Sequence, residues 1–143
     1  MKKDLLSFII NKQEFALEVD VIEMVEEYRS STEVPNSKLF IEGLINLRGR
    51  IVPIVDLTKI LGMNVEKNHK FEKVLILKID DEEIGILVDV VNDVVNIDTD
   101  NLENYGGNEK FALMSHGIVQ LDNRLIVYLN VDKIFELKKD FDE

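Results

Sequence analysis

The chain has 143 residues, which suits one domain or two small lobes, and 45% of them are hydrophobic, enough for a packed interior. With no cysteine, disulfides, thiolate metal ligands and a cysteine nucleophile are excluded. A formal net charge of −11 argues against nucleic acid and against an anionic membrane surface as partners.

Strands are predicted over Leu5–Ile10 and Glu14–Val19, joined by the polar turn Asn11-Lys12-Gln13, and then over Ile22–Tyr28. Asn36 or Ser37 caps a predicted helical turn through Lys38-Leu39-Phe40-Ile41. Strands follow at Leu44–Leu47 and Arg50–Val55. The run Ile51 to Leu57 is nearly unbroken in apolar residues, which marks a strand buried on both faces. Pro53 has no amide donor and so predicts a sheet edge or a bulge. Asp56 caps a helix over Leu57–Leu61, which Gly62 ends. Asn64 to Lys70 is a polar connector. Strands resume at Lys73–Ile79, Glu83–Val88 and Val91–Ile97, with Asp80-Asp81-Glu82 as a hairpin turn. A polar segment from Thr99 to Lys110, containing Gly106-Gly107, leads to strands at Gly117–Leu121 and Arg124–Leu129 around Asp122-Asn123. Asn130 caps a last helix over Val131–Leu137, and the tail from Lys138 is expected to fray. No stretch approaches the roughly 18 apolar residues that cross a bilayer. Met1-Lys2-Lys3-Asp4-Leu5 lacks the apolar region and cleavage site of a secretory signal, so a cytoplasmic protein is expected.

The chain repeats itself. Shifted by 69 positions, Leu5 to Asp20 lies on Val74 to Asp89, strand on strand and Val-Asp on Val-Asp. Shifted by 74, Gly43, Leu47, Arg50, Lys59 and Ile60 lie on Gly117, Leu121, Arg124, Lys133 and Ile134. Each copy supplies about five short strands, the pattern of a small barrel.

Catalytic chemistry finds little support. His69 sits in the connector and His116 before a turn, both read as ordinary surface histidines. Ser115 adjoins His116, but strand neighbours point to opposite faces and cannot form a nucleophile–base pair. Asp98-Thr99-Asp100-Asn101 lacks the Gly and the terminal Glu of a calcium loop. Gly106-Gly107 leads into no phosphate-binding sequence. The doubled apolar residues of Val88 to Ile97 give both faces of that strand more than one core needs, so Val91 and Val94 either complete a core or meet a partner.

The most informative stretch is Gly43 to Leu57, in which Arg48 stands between a turn and an apolar run. Arg48 is expected to pair with Glu23 or Glu26, or to fix a partner through its guanidinium. Asn46-Leu47-Arg48-Gly49 followed by Ile51-Val52-Pro53-Ile54-Val55-Asp56-Leu57 resembles the signature of the CheW family. Those adaptors join bacterial chemoreceptors to the histidine kinase CheA. The likeness runs from Leu5 to Leu137, and Met24 departs from it, standing where family members often carry an acid. The resemblance implies a mainly β fold: two pseudo-repeated five-stranded SH3-like barrels around a shared hydrophobic core, with a few short helices. It implies a single domain over 1–143, with subdomains near 1–63 and 71–143 that are free to exchange strands. It implies a protein without catalysis, cofactor or metal, held at receptor arrays on the inner face of the membrane without touching the membrane. The receptor's cytoplasmic tip would dock through Ile22, Met24, Arg48, Val91 and Val94, and the regulatory domain of CheA through Val74, Leu75, Ile76 and Leu77. Three other readings stay open. One is a coupling module of another chemosensory-type system. Another is a small enzyme with a carboxylate site, marked by a strongly raised carboxyl pKa. The third is an SH3-like peptide binder, poorly served by seven Phe, three Tyr and no Trp.

Overall fold

A computed structural model describes residues 1–35, 40–104 and 113–136. Ten strands account for most of them: β1 (Lys2–Ile10), β2 (Gln13–Glu18), β3 (Ile22–Glu27), β4 (Ile41–Leu47), β5 (Arg50–Val55), β6 (Lys73–Ile79), β7 (Glu82–Val88), β8 (Val90–Asp98), β9 (Ser115–Leu121) and β10 (Arg124–Leu129). Two short helices, α1 (Leu57–Leu61) and α2 (Val131–Glu136), follow β5 and β10. Asp56 caps α1 by accepting from the Thr58 amide at 2.9 Å, and Gly62 ends it with φ 70°. The expected helix through residues 38–41 falls mostly outside the described residues, and Ile41 itself opens β4. Gly106-Gly107, Leu137 and the tail also lie outside them.

The hairpin turns follow from residues that accept positive φ. Asn11 (49°) and Lys12 (71°) turn β1 into β2, and Asp80 (50°) and Asp81 (67°) turn β6 into β7. Positive φ at both central residues is the two-residue turn whose twist matches the flanking strands.

The strands form two five-stranded sheets, in the orders β8-β1-β2-β10-β9 and β3-β6-β7-β5-β4. The two orders are the same once β1, β2, β8, β9 and β10 are laid on β6, β7, β3, β4 and β5. Each sheet therefore takes its β1–β2 type hairpin from one sequence repeat and its other three strands from the other. Strands of different repeats meet at two places in each sheet; β2–β10 and β5–β7 are parallel, whereas β3–β6 is antiparallel. Two compact units result, Met1–Val19 with Val91–Glu143, and Asp20–Val90, so the units and the sequence halves near 1–63 and 71–143 divide the chain differently.

Each unit encloses its own apolar cluster. The first gathers Leu5, Ala16, Val95, Ile97, Val119, Ile126 and Tyr128; the second gathers Val52, Ile54, Val74, Ile76 and Leu87, with Met24, Ile45 and Leu47 packed against it. The repeat extends to close contacts. Thr32 bridges Leu44 beside Gly43, and Glu103 bridges Ile118 beside Gly117. A Cβ on Gly43 would lie 2.5 Å from the Thr32 carbonyl oxygen, and one on Gly117 would lie 2.6 Å from that of Glu103.

Pro53 corrects one expectation, because β5 is an interior strand and not an edge. Leu44, opposite Pro53, spends its amide and carbonyl on Thr32, both at 2.8 Å, and so faces away from β5. The missing Pro53 amide then points toward β7, where pairing begins only at Ile54. Among the described residues, no helix is long and apolar enough to cross a membrane.

Candidate functional site

The β4–β5 hairpin carries the sharpest candidate. Leu47 pairs with Arg50, leaving Arg48 and Gly49 as a two-residue turn with φ 54° and 86°. Glycine adopts that geometry freely, whereas arginine does so at a cost. Asn46 Oδ1 accepts the Gly49 amide at 2.9 Å and braces the turn. Ile45 and Leu47 root the hairpin in the apolar cluster while the Arg48 side chain, 73% exposed, stands clear of it. Its guanidinium lies 3.8 Å from Glu26 of β3, a long and solvated pair worth little in stability. Most of its hydrogen-bonding capacity therefore remains open to a partner. The other expected acid, Glu23, goes to Arg50 at 3.7 Å.

Ile22 and Met24 were both expected on the partner's side, but β3 divides them. Ile22 pairs with Leu77 and Met24 with the adjacent Ile76, so a bulge at Glu23 turns the two toward opposite faces. Met24 joins the cluster that holds Leu47, next to Arg48. Val91 and Val94 belong to β8 in the other unit. Strand alternation sets Val91, half-buried, on the side of Val95 and Val94, 58% exposed, on the other. The expected kinase residues Val74, Leu75, Ile76 and Leu77 need correction. All four are fully buried in β6, which is paired on both sides, and they offer no surface to a partner.

The strongest polar network lies in the Met1–Val19, Val91–Glu143 unit and was missed in the sequence. Arg124 donates to Glu14 (Nε to Oε1, 3.2 Å), to Asp93 (2.7 Å) and weakly to the buried Ser7 hydroxyl (3.4 Å). Ser7 in turn donates to Glu14, and Asn92 donates to Glu14 at 3.1 Å. The Arg124 bonds hold the Glu14 carboxyl below its ordinary value of 4.5 against the opposing effect of burial, and the same bonds raise Arg124. The other unit repeats the arrangement more thinly: Arg50 lies 3.1 Å from Glu83, without the alignment of a hydrogen bond. The signal was present, since Arg50 falls on Arg124 at the shift of 74 and Glu14 on Glu83 at 69. Nearby, the Tyr128 hydroxyl donates to Glu18, lowering that carboxyl, while burial raises Tyr128 itself.

His69 also departs from expectation. Its Nε2 lies 2.7 Å from Asp89 and its ring centroid 4.7 Å from that of Phe71, so it anchors the connector. Asp98 accepts from the Asp100 amide and from the terminal ammonium, bonds that lower its carboxyl, and so it is a turn cap. Among the described residues no group of three or more His, Asp or Glu could hold a metal. Glu14, Glu18 and Asp98 are all held below the ordinary carboxylate range by their hydrogen bonds, opposite to the needs of a general acid. The arrangement is suited to binding: a stiff scaffold, a braced hairpin tip and an under-used guanidinium.

Comparison with known proteins agrees in kind. The model of the CheW-like domain matches residues 4–139. The chain is 45% identical over 133 residues to the chemotaxis protein CheW of Thermotoga maritima, covering 93% of this chain and 87% of that protein. It is 28% identical to CheW of Bacillus subtilis, covering 92% and 86%. A solved structure, the scaffolding protein TtCheW of Thermoanaerobacter tengcongensis, superposes with a TM-score of 0.80 at 28% identity, covering 95% of this chain and 94% of that one.

Proposed function

The chain belongs to the CheW family, and on that footing we propose that it is a chemotaxis adaptor coupling chemoreceptors to the histidine kinase CheA. The observation that carries this reading is the match to CheW over residues 4–139, nearly the whole chain. In this reading the adaptor binds both partners at once. Contacts that differ between two receptor states then shift the kinase equilibrium without any chemistry by the adaptor itself. The exposed Arg48 tip, with Met24 rooted beside it, is assigned to the receptor's cytoplasmic tip. Ile22, Val91 and Val94 are assigned to the same partner, Val94 being the most exposed of the three. The regulatory domain of CheA is the second partner, and the buried residues 74–77 are not its contacts.

The chain is read as non-catalytic: Ser7 is buried against Glu14, and the carboxyls of Glu14 and Glu18 are held below their ordinary value, opposite to the needs of a general acid. It is assigned to the cytoplasm, at receptor arrays, without direct membrane or nucleic-acid contact; the charge of −11 favours partners with basic surfaces. The test is reconstitution of CheA with receptor-bearing membranes, with and without this chain, following CheA autophosphorylation. Receptor-dependent activation that needs the chain is expected. Failure to co-sediment with receptor and kinase, together with unchanged autophosphorylation, would overturn the reading.

A further inference from the structure

The two β-hairpins related by the shift of 74 differ in one instructive way. In β9–β10, Asp122 takes the place of Arg48 and has the same left-handed φ, 51° against 54°. Aspartate tolerates that conformation because its short polar side chain bonds locally, whereas arginine has no such help. The hairpin with the poorly suited residue is the one with a brace, from Asn46 Oδ1 to the Gly49 amide at 2.9 Å. Gln120 stands where Asn46 would be, and among the described residues no matching bond joins it to Asn123.

We propose that Asn46 is a positioning residue: its side chain holds the Arg48-Gly49 turn in the geometry that presents the Arg48 guanidinium, and it governs recognition through the turn, without touching the partner. The inference rests on the assignment of Arg48 to the receptor. The bond is local and lies at the exposed tip, while the hairpin is rooted separately through Ile45 and Leu47. Loss of the brace therefore loosens the turn and leaves the fold standing.

The experiment compares wild type with Asn46→Ala, Asn46→Asp, Arg48→Ala and the double variant Asn46→Ala/Arg48→Ala. It measures affinity for a receptor cytoplasmic fragment, hydrogen exchange at the Gly49 amide and Tm. Asn46→Ala is expected to speed Gly49 exchange and weaken binding by about 3- to 10-fold, the equivalent of one modest hydrogen bond. Asn46→Asp, which keeps the acceptor oxygen, should restore both, and Tm should stay near wild type throughout. The double variant should bind no more weakly than Arg48→Ala alone. Faster Gly49 exchange with unchanged affinity would overturn the proposal, and so would additive losses in the double variant, since these would mean that Asn46 meets the partner directly. Unaltered binding by Arg48→Ala would overturn it at the receptor assignment, and the Gly49 exchange rates would still separate that failure from a missing brace.

Discussion

Arg124 and Glu14 lie 110 positions apart in sequence and bond side by side on neighbouring strands, β10 and β2. Arg50 and Glu83 repeat the relationship between β5 and β7. Each pair spans the parallel junction at which the two sequence repeats meet within one sheet. Arg124→Ala leaves the partly buried Glu14 short of its main donor and should cost about 1–3 kcal/mol. Arg50→Ala, at the thinner pair, should cost less. Urea unfolding of the two variants measures the difference; equal losses would count against the contrast in bonding.

Stability should fall on the acid side. Glu14 and Glu18 are both held below their ordinary value of 4.5 in the folded protein. A lowered folded pKa gives stability that is fully present above the unfolded value and is lost as pH drops through the folded one. Tm is therefore expected to decline below about pH 4.5, and Glu14→Gln should flatten that decline. Thermal melts from pH 3 to 7 provide the check.

Under the proposed receptor assignment, the left-handed backbone of Arg48 exchanges stability for recognition. Replacing it with Asn, which tolerates the left-handed turn, should stabilise the chain by roughly 1 kcal/mol while weakening receptor binding. A variant both more stable and equally able to bind would remove the argument for Arg48 as a contact.

Gly43→Ala should be costly, since the added methyl meets the Thr32 backbone oxygen at 2.5 Å and backbone cannot swing aside. A loss of about 1–3 kcal/mol is expected. Gly85→Ala meets side-chain ends instead, Ile54 Cδ1 at 2.5 Å and Val74 Cγ2 at 2.8 Å, and the matching position in the other unit is already Ala16. Its penalty should be the smaller of the two by denaturant midpoint.

Leu75→Ala should destabilise by about 2–5 kcal/mol as a core truncation. Any loss of kinase binding should then track the folded fraction measured by circular dichroism.

The strands were legible because their signals are local. The run Val74–Leu77 stands out as continuously apolar, and the pairs Asn11-Lys12 and Asp80-Asp81 mark turns that need positive φ. The repeat was legible too, down to the change of shift from 69 to 74, which falls between the two blocks of strands that enter different sheets. What the residues did not reveal is pairing at a distance. Nothing in Val74–Leu77 separates a buried central strand from a sticky surface one, because both read as apolar runs. The bulge at Glu23, which sends Ile22 and Met24 to opposite faces, adds one residue without any glycine to announce it. His69 looked like a solvated connector residue because its partner, Asp89, lies twenty positions on. Arg48 was legible as a candidate, but its left-handed backbone and the Asn46 brace were not.

The exchange of strands between repeats also sets an order of events during synthesis. Residues Met1–Val19 leave the ribosome first, yet their sheet closes only when Arg124–Leu129 arrives to pair with β2. The Asp20–Val90 unit, continuous in sequence, is complete long before that. The nascent amino-terminal hairpin must wait unclosed through most of translation, the interval in which a β-rich chain is most open to misassembly and to the hold of a chaperone.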